Sequence, residues 1–376
     1  MKLLNIFSTI FFISFFIHIP RLYIEIKSRL FKKNNKLHGE DSYQNKRNCG
    51  NEKNRLFGWS YFDMSDTEWT KYIENLKFNL INLYRKEFYH LVENISDHDL
   101  VSFQSSDKVM SYTVDGEVIS TWIDNKNKII RSCFNHEWCS GYFFLQYGSI
   151  IYTGKCPNPA KYPNIPFIPE YSLLKLILNK PYIPTGKCFS TDINKNEIKR
   201  INYNIDLSKK DIGISSRTYI LWNVMTILNS VYSKDYNILI PIPFQKLKNV
   251  WNNIGVIFVK WPKEGMTIMD LETVISQNKY HAVGTNLYLR GVTSPSQGKN
   301  GRENVDLVFT SGYIQNPTII PKYHHATFNG VADYGIYCLT ATMGNITSIS
   351  LTISTNQFEF EKLEKKIDEK YKYSLF

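Results

Sequence analysis

The chain has 376 residues, 43% of them hydrophobic and 15% aromatic, a composition that excludes a disordered or fibrous protein. The formal net charge is +11, but residues 1–55 hold eleven basic and four acidic residues, so most of the excess lies in the N-terminal segment. The rest of the chain has no basic stripe interleaved with aromatic residues, and we expect no nucleic-acid partner. Six cysteines without a CxxC pair are too few for a disulfide scaffold and are typical of free thiols in a reducing compartment.

An apolar run near the N-terminus predicts a membrane anchor. Leu3 to Ile19 is almost uninterrupted and reaches the lower limit of length for a transmembrane helix. The run ends at Pro20-Arg21 without the small-residue site of a cleaved signal peptide. Basic residues follow it, so the positive-inside rule puts the body of the protein in the cytosol, and we expect the endoplasmic reticulum membrane. Residues 1–33 are the predicted anchor with its basic juxtamembrane segment, and residues 34–55 are a polar linker.

The first half of the remaining chain predicts a helix and a β-meander. Hydrophobic spacing behind a capping box indicates one amphipathic helix, and Asp115-Gly116 between two β-prone runs indicates a hairpin. The predicted elements are a helix at 66–93, strands at 110–114, 118–123 and 129–134, and an apolar segment of helical length at 142–151.

The second half predicts a mixed arrangement after a proline-rich crossover at 156–184. One helix is nearly apolar all round and should therefore be buried. The predicted elements are helices at 171–178, 216–232, 267–277 and 359–372 and strands at 237–244, 254–261, 305–310, 334–342 and 348–354.

Two histidine sites are candidates for chemistry. His136 lies two residues after the predicted strand at 129–134, with Asn135, Ser140 and Gly141 around it in the sequence, a position in which an imidazole can serve as a general base. The alternative is a partly buried structural histidine. His324-His325 forms the second site, which we interpret as a loop because the proline-containing stretch before it is a poor strand.

Other chemistries have little support in the sequence. We find no HExxH or other metal-ligand spacing and expect no metal. Glycine-rich phosphate loops and the GxSxG elbow of serine hydrolases are also absent. Asp306 and Asp333 are interpreted as surface or turn carboxylates.

The order of these elements resembles the acyl-CoA-dependent acyltransferase superfamily. The resemblance lies in a hairpin and strand leading to Asn-His-x-x-x-Ser-Gly at 135–141, then in the stretches 218–255 and 305–312. It is nearest to wax-ester synthase/diacylglycerol acyltransferases, alcohol acyltransferases and the condensation domains of peptide synthesis. The implied fold class is α+β, with two chloramphenicol acetyltransferase-like mixed-sheet lobes, helices packed on the sheets and an N-terminal transmembrane helix. The lobes would span 56–185, with the histidine motif, and 186–376.

The resemblance also implies a mechanism. The second position of the family motif maps onto His136, which would act as general base, with Asn135 and Gly141 framing it. Thr310, Ser311 and Asn253 become candidates for contacting the oxyanion or the substrate, and His325 is the alternative catalytic histidine. The co-substrate would be acyl-CoA, no cofactor would be bound permanently, and the acceptor would carry a hydroxyl group. Ser140 departs from the family, which has an aspartate there, and the DFGWG signature of the plant branch is missing.

These observations leave three hypotheses. The first is a membrane-anchored acyl-CoA O-acyltransferase acting on a long-chain alcohol or diacylglycerol. The second is a catalytically impaired relative that binds an acyl or lipid ligand, which Ser140 suggests. The third is a secreted binding protein of unrelated fold, which requires cleavage of the N-terminal run and oxidised cysteines.

Overall fold

The computed structural model describes residues 55–86, 100–105, 109–114, 117–135, 182–188, 197–243, 254–279, 281–282, 304–314, 319–328 and 335–371. Within these ranges the protein is a mixed α/β structure with two six-stranded sheets. The strands are β1 (Arg55–Tyr61), β2 (Leu100–Ser105), β3 (Val109–Val114), β4 (Glu117–Asp124), β5 (Ile129–Asn135), β6 (Glu197–Asp206), β7 (Tyr236–Pro243), β8 (Ile254–Trp261), β9 (Leu307–Ile314), β10 (Tyr323–Phe328), β11 (Ile336–Met343) and β12 (Ile346–Thr355). The principal helices are α1 (Asp66–Lys86), α2 (Ser216–Tyr232), α3 (Ile268–Asn278) and α4 (Gln357–Tyr371).

The first sheet has the strand order β10-β1-β5-β4-β3-β2, and all neighbouring strands in it are antiparallel. The predicted hairpin and the strand that leads toward His136 are confirmed as β3, β4 and β5. The predicted helix that begins at Asp66 is confirmed as far as Lys86. Ser65 caps it, since its hydroxyl accepts from the backbone N–H of Glu68 and the Glu68 carboxylate accepts from the backbone N–H of Ser65.

The second sheet has the order β6-β12-β11-β9-β7-β8, in which β7, β9 and β11 run parallel. Helices α2, α3 and α4 cover one face of it and bury the main hydrophobic core of this half. Helix α2 starts where the sequence predicts, because the Ser215 hydroxyl accepts from the backbone N–H of Thr218. The glycine at position 255 allows close packing here, since a Cβ atom there would lie 1.8 Å from the carbonyl oxygen of Ala282.

The interpretation of His324-His325 as a loop is wrong, because both residues lie in β10. This strand pairs with β1 along its whole length. Tyrosine, threonine and phenylalanine are enriched in strands, and this preference together with the pairing outweighs the effect of the prolines that precede the strand. Strand β10 also lies against β11 and β12 of the second sheet. It therefore joins the two sheets, and it does so with residues of the predicted second lobe, 186–376.

The interpretation of Asp306 as a surface or turn carboxylate is also wrong, because the residue is fully buried. Its carboxylate accepts backbone N–H groups from Cys188 at 2.9 Å and from Asn237 at 2.8 Å. The Asn237 side chain extends this network by donating to the Gly186 carbonyl and accepting from the Tyr182 hydroxyl. Asp306 thus holds the segment 182–188 against the amino ends of β7 and β9, and a buried carboxylate is tolerated there because N–H groups surround it.

None of the helices in the described ranges is long and apolar enough to span a membrane. The predicted anchor at 1–33, the short helix at 171–178 and Asp333 lie outside those ranges.

Candidate functional site

The predicted site residues fall on both sheets and partly outside the described ranges. His136, Ser140, Gly141 and Asn253 lie outside them. Asn135 is the last residue of β5 and pairs with Arg55 at the start of β1. His325 lies in β10 opposite Trp59 of the same strand β1.

Strand β1 relates the two histidine sites to each other. Strands β5 and β10 flank β1 and run in the same direction, so both end at the edge where β1 begins, with Phe328 of β10 opposite Leu56. His325 is paired four residues further along β1 than Asn135 is, which corresponds to about 13 Å along the sheet. The end of β5 and the middle of β10 are therefore separate positions in the first sheet, and one catalytic centre cannot lie at both.

The neighbouring histidine, His324, takes part in a buried polar contact with Ser60. The Ser60 Oγ and His324 Nδ1 atoms are 2.9 Å apart, and the two side chains are 0% and 1% exposed. The residues are direct partners in the β1–β10 ladder, so the contact is a cross-strand pair. Because the pair is closed to solvent, its role in the described structure is to hold β10 to β1.

Thr310 and Ser311 stand on opposite faces of the second sheet, as consecutive residues of a strand must. The Thr310 hydroxyl is 3.4 Å from the Tyr337 hydroxyl. Ser311 pairs with Thr340, which stands on the same face of β11 as the core residue Cys338, and this is the face covered by the helices. A reacting group on either face can therefore receive only one of the two predicted hydroxyl donors.

On the face of the second sheet that carries Thr310, the part formed by β12 and β6 is polar. Four hydroxyl side chains of β12 on this face are each less than a tenth exposed: Ser348, Ser350, Thr352 and Ser354. The Ser350 hydroxyl donates to the Asn202 side-chain oxygen of β6 at 2.5 Å. Strand β10 lies against β11 and β12, so these hydroxyl groups belong to the region between the two sheets. Hydroxyl groups both donate and accept, and such a face can bind a polar ligand or ordered water.

Arg217 in the first turn of α2 is a functional candidate that the sequence pattern did not reveal. Its Nε donates to the Ser311 hydroxyl at 3.2 Å, and the side chain is partly buried. Burial lowers the pKa of the guanidinium, an effect that the charge of Glu272 opposes. The only sequence signal was its place beside the cap Ser215, since the contact with Ser311 spans 94 positions.

No family model and no curated protein matches the chain. Among solved structures, the wax ester synthase/diacylglycerol acyltransferase from Marinobacter aquaeolei VT8 matches with 8% identity and a TM-score of 0.43, over 89% of this chain and 98% of that one. The starter condensation domain of rhizomide synthetase, solved with C8-CoA and Leu-SNAC, matches with 6% identity and a TM-score of 0.44, over 88% and 92% of the chains. The epimerization domain from the third module of tyrocidine synthetase B matches with 8% identity and a TM-score of 0.40, over 83% and 96%.

The names of two of these structures, a wax ester synthase/diacylglycerol acyltransferase and a condensation domain, are among the groups that the sequence resembles. Because every one of these TM-scores is below 0.5, we draw neither the fold nor the activity of this protein from them. The function proposed for this protein therefore depends on the positions of its own residues.

Proposed function

We propose that this protein is a membrane-anchored acyltransferase that moves an acyl group from acyl-CoA to a hydroxyl acceptor. His136 is the general base of this reaction. The observation that supports the proposal best is that β5 ends at Asn135, the residue before His136 in the sequence, at the edge of the first sheet where β10 also ends. Since β10 lies against the second sheet as well, this edge adjoins the region between the sheets, where a two-substrate site can be enclosed.

The proposed chemistry is a transesterification. The His136 imidazole takes the proton of the acceptor hydroxyl while the oxygen attacks the thioester carbonyl. The tetrahedral oxyanion then collapses, the carbon–sulfur bond breaks, and the imidazolium returns its proton to the departing thiolate. Thr310 is the hydroxyl donor proposed for the oxyanion, because it stands on the sheet face that the helices do not cover. Bringing both substrates to one imidazole can contribute about 7 to 11 kcal/mol to lowering the barrier.

The acceptor that we propose is a long-chain alcohol or diacylglycerol. The apolar run at 3–19 and the basic residues after it support a membrane location, in which such lipids are dissolved. We propose the endoplasmic reticulum, with the catalytic body in the cytosol, where acyl-CoA is available.

The test is acyl transfer from radiolabelled acyl-CoA to a panel of alcohols, measured with the full-length protein and with His136→Ala. We expect the substitution to lower kcat by at least about 100-fold, the usual contribution of general-base catalysis. His325→Ala is the matched control and should retain most of the activity. Unchanged turnover in His136→Ala with loss of turnover in His325→Ala would transfer the role of base to His325.

One observation favours a second candidate function, a catalytically impaired protein that binds an acyl or lipid ligand. Ser140 stands where the resembled family has an aspartate, and a hydroxyl group cannot form the ion pair of a carboxylate. This alternative predicts saturable binding of a fluorescent acyl-CoA without transfer to any alcohol of the panel. Under it, Ser140→Asp should create transfer activity, whereas in an active enzyme the same substitution should change kcat by less than about tenfold.

A further inference from the structure

Arg217 has more hydrogen-bond donors than the surrounding protein uses. A guanidinium carries five N–H donors, and one of them, at Nε, is taken by Ser311. In the part of the chain that the structure describes, the remaining four have no hydrogen-bond acceptor, and no carboxylate forms a salt bridge with this side chain. None of these four donors is among the buried polar atoms that lack a partner in the described ranges, so the free end of the guanidinium is open to solvent and to a ligand.

Glu272 of α3, the acidic side chain whose charge acts on Arg217, forms its hydrogen bonds with other residues. Its carboxylate accepts from the backbone N–H and the hydroxyl of Ser215 and from the hydroxyl of Ser276. Burial raises the pKa of Glu272, but the hydrogen bonds from Thr218 and Ser215 outweigh it and the net shift is downward, so this carboxylate is ionised. Its charge attracts the guanidinium from a distance without saturating its donors.

The hydroxyl group of Ser311 is a second hydrogen-bond donor beside the Arg217 guanidinium. Its oxygen accepts from Arg217 Nε, so its own O–H is left to donate onward. Ser311 is the fifth of the eight residues of β9 and lies three positions before its carboxyl end, and the parallel strands β7 and β11 end on the same edge of the sheet. In sheets with parallel strands, this edge is the usual location of ligand sites.

We propose that Arg217 and Ser311 bind a phosphate group of a small-molecule ligand at this edge of the second sheet. The guanidinium fork matches two oxygens of a phosphate, and the Ser311 hydroxyl matches a third. The positive end of the 17-residue helix α2 adds a favourable field to these contacts. The phosphate can belong to a nucleotide, such as the adenosine 3′,5′-diphosphate part of a CoA thioester, or to a free inorganic ion. The site does not depend on the proposed function, because it stands on the helix-covered side of the sheet and binding requires no acyl transfer.

Isothermal titration calorimetry of the full-length protein with three probes tests this inference. The probes are inorganic pyrophosphate, adenosine 3′,5′-diphosphate and acetate, the last as a carboxylate without phosphate. We expect at least one phosphate probe to bind saturably and acetate to bind at least tenfold more weakly. Tighter binding of the nucleotide than of pyrophosphate identifies a nucleotide ligand, and equal affinities identify the phosphate group alone as the ligand.

Arg217→Gln should weaken phosphate binding at least tenfold, and Arg217→Lys, which keeps the charge without the fork, by a smaller factor. Lys209→Gln is the control, since Lys209 is an exposed cation eight positions before Arg217 in the chain, in the 3₁₀ helix Leu207–Lys209, and its replacement should leave affinity within twofold. The ligand-free Arg217→Gln protein should keep a melting temperature close to that of the wild type, because the free end of the guanidinium is open to solvent, whereas loss of a purely structural arginine would lower it. Saturable binding that survives Arg217→Gln, binding of acetate as tight as that of phosphate, or no saturable binding of either phosphate probe overturns the proposal.

Discussion

Replacing Asp306 by asparagine should destabilise the protein strongly, although the change is isosteric. One carboxylate oxygen accepts the Cys188 backbone N–H at 2.9 Å, and the other accepts the Asn237 backbone N–H at 2.8 Å. In an asparagine, one of these oxygens becomes an NH₂ group, which must face an N–H donor in either orientation of the amide. The side chain is fully buried, so water cannot relieve this conflict.

The magnitude can be estimated from the bonds that are lost. A charge-assisted hydrogen bond contributes about 1.5–3 kcal/mol, and a buried donor left without a partner costs about 1–3 kcal/mol. A neutral amide is cheaper to bury than a carboxylate, which offsets part of the loss. We expect the free energy of unfolding to fall by about 2–4 kcal/mol in Asp306→Asn.

Urea unfolding of the full-length protein in detergent, followed by tryptophan fluorescence, measures this change. Trp261 in β8 of the same sheet is 1% exposed and reports on its unfolding. The matched control is Asp63→Asn, since Asp63 is 70% exposed and only pairs with Lys322 at the surface. That control should change stability by about 0–1 kcal/mol. If Asp306→Asn shifts the urea midpoint no more than the control does, the network around Asp306 does not hold segment 182–188 in place.

Three further predictions concern packing, pH and the junction of the sheets. Gly255→Ala should lower the free energy of unfolding, measured in urea, by about 3 kcal/mol or more, because the added Cβ would lie 1.8 Å from a backbone carbonyl. Gly186→Ala is the control and should lower it by less than about 1 kcal/mol, because a Cβ there would have no atom of the described residues within 4 Å. Burial lowers the pKa of His281 from 6.5 to about 4, so the contribution of the neutral side chain to stability should be fully present above pH 6.5 and should be lost as the pH falls toward 4. His281→Gln should abolish this part of the pH dependence, and an unchanged slope would exclude His281 as its source. Ser60→Ala should cost about 1–3 kcal/mol by leaving His324 Nδ1 without its serine, and native-state hydrogen exchange should quicken in β10 first; equal rates across the first sheet would contradict that.

The amino-acid pattern alone determined the elements whose signals are local. The hairpin at β3 and β4 is predicted by two β-prone runs around Asp-Gly, and α2 is predicted by a nearly continuous apolar sequence behind a serine cap. Thr310 is predicted at the end of a strand at 305–310, whereas the structure extends that strand to Ile314 and so includes Ser311 on the opposite face. The helices and most of the strands of the second half are predicted from local patterns too, but the mixed pairing of those strands is only implied by the family resemblance.

Tertiary structure decided everything that depends on partners far apart in the chain. Strand β10 has a weak local signal, and it becomes a strand because β1 pairs with it across 264 positions at Ser60 and His324. The sequence indicates a surface carboxylate at Asp306, whereas in the structure the residue is buried and accepts a backbone N–H from Cys188 in the segment at 182–188. Arg217 becomes a candidate ligand-binding residue only when α2 packs beside Ser311. Local sequence specifies backbone propensity, whereas burial of a charge and its satisfaction are properties of the assembled fold.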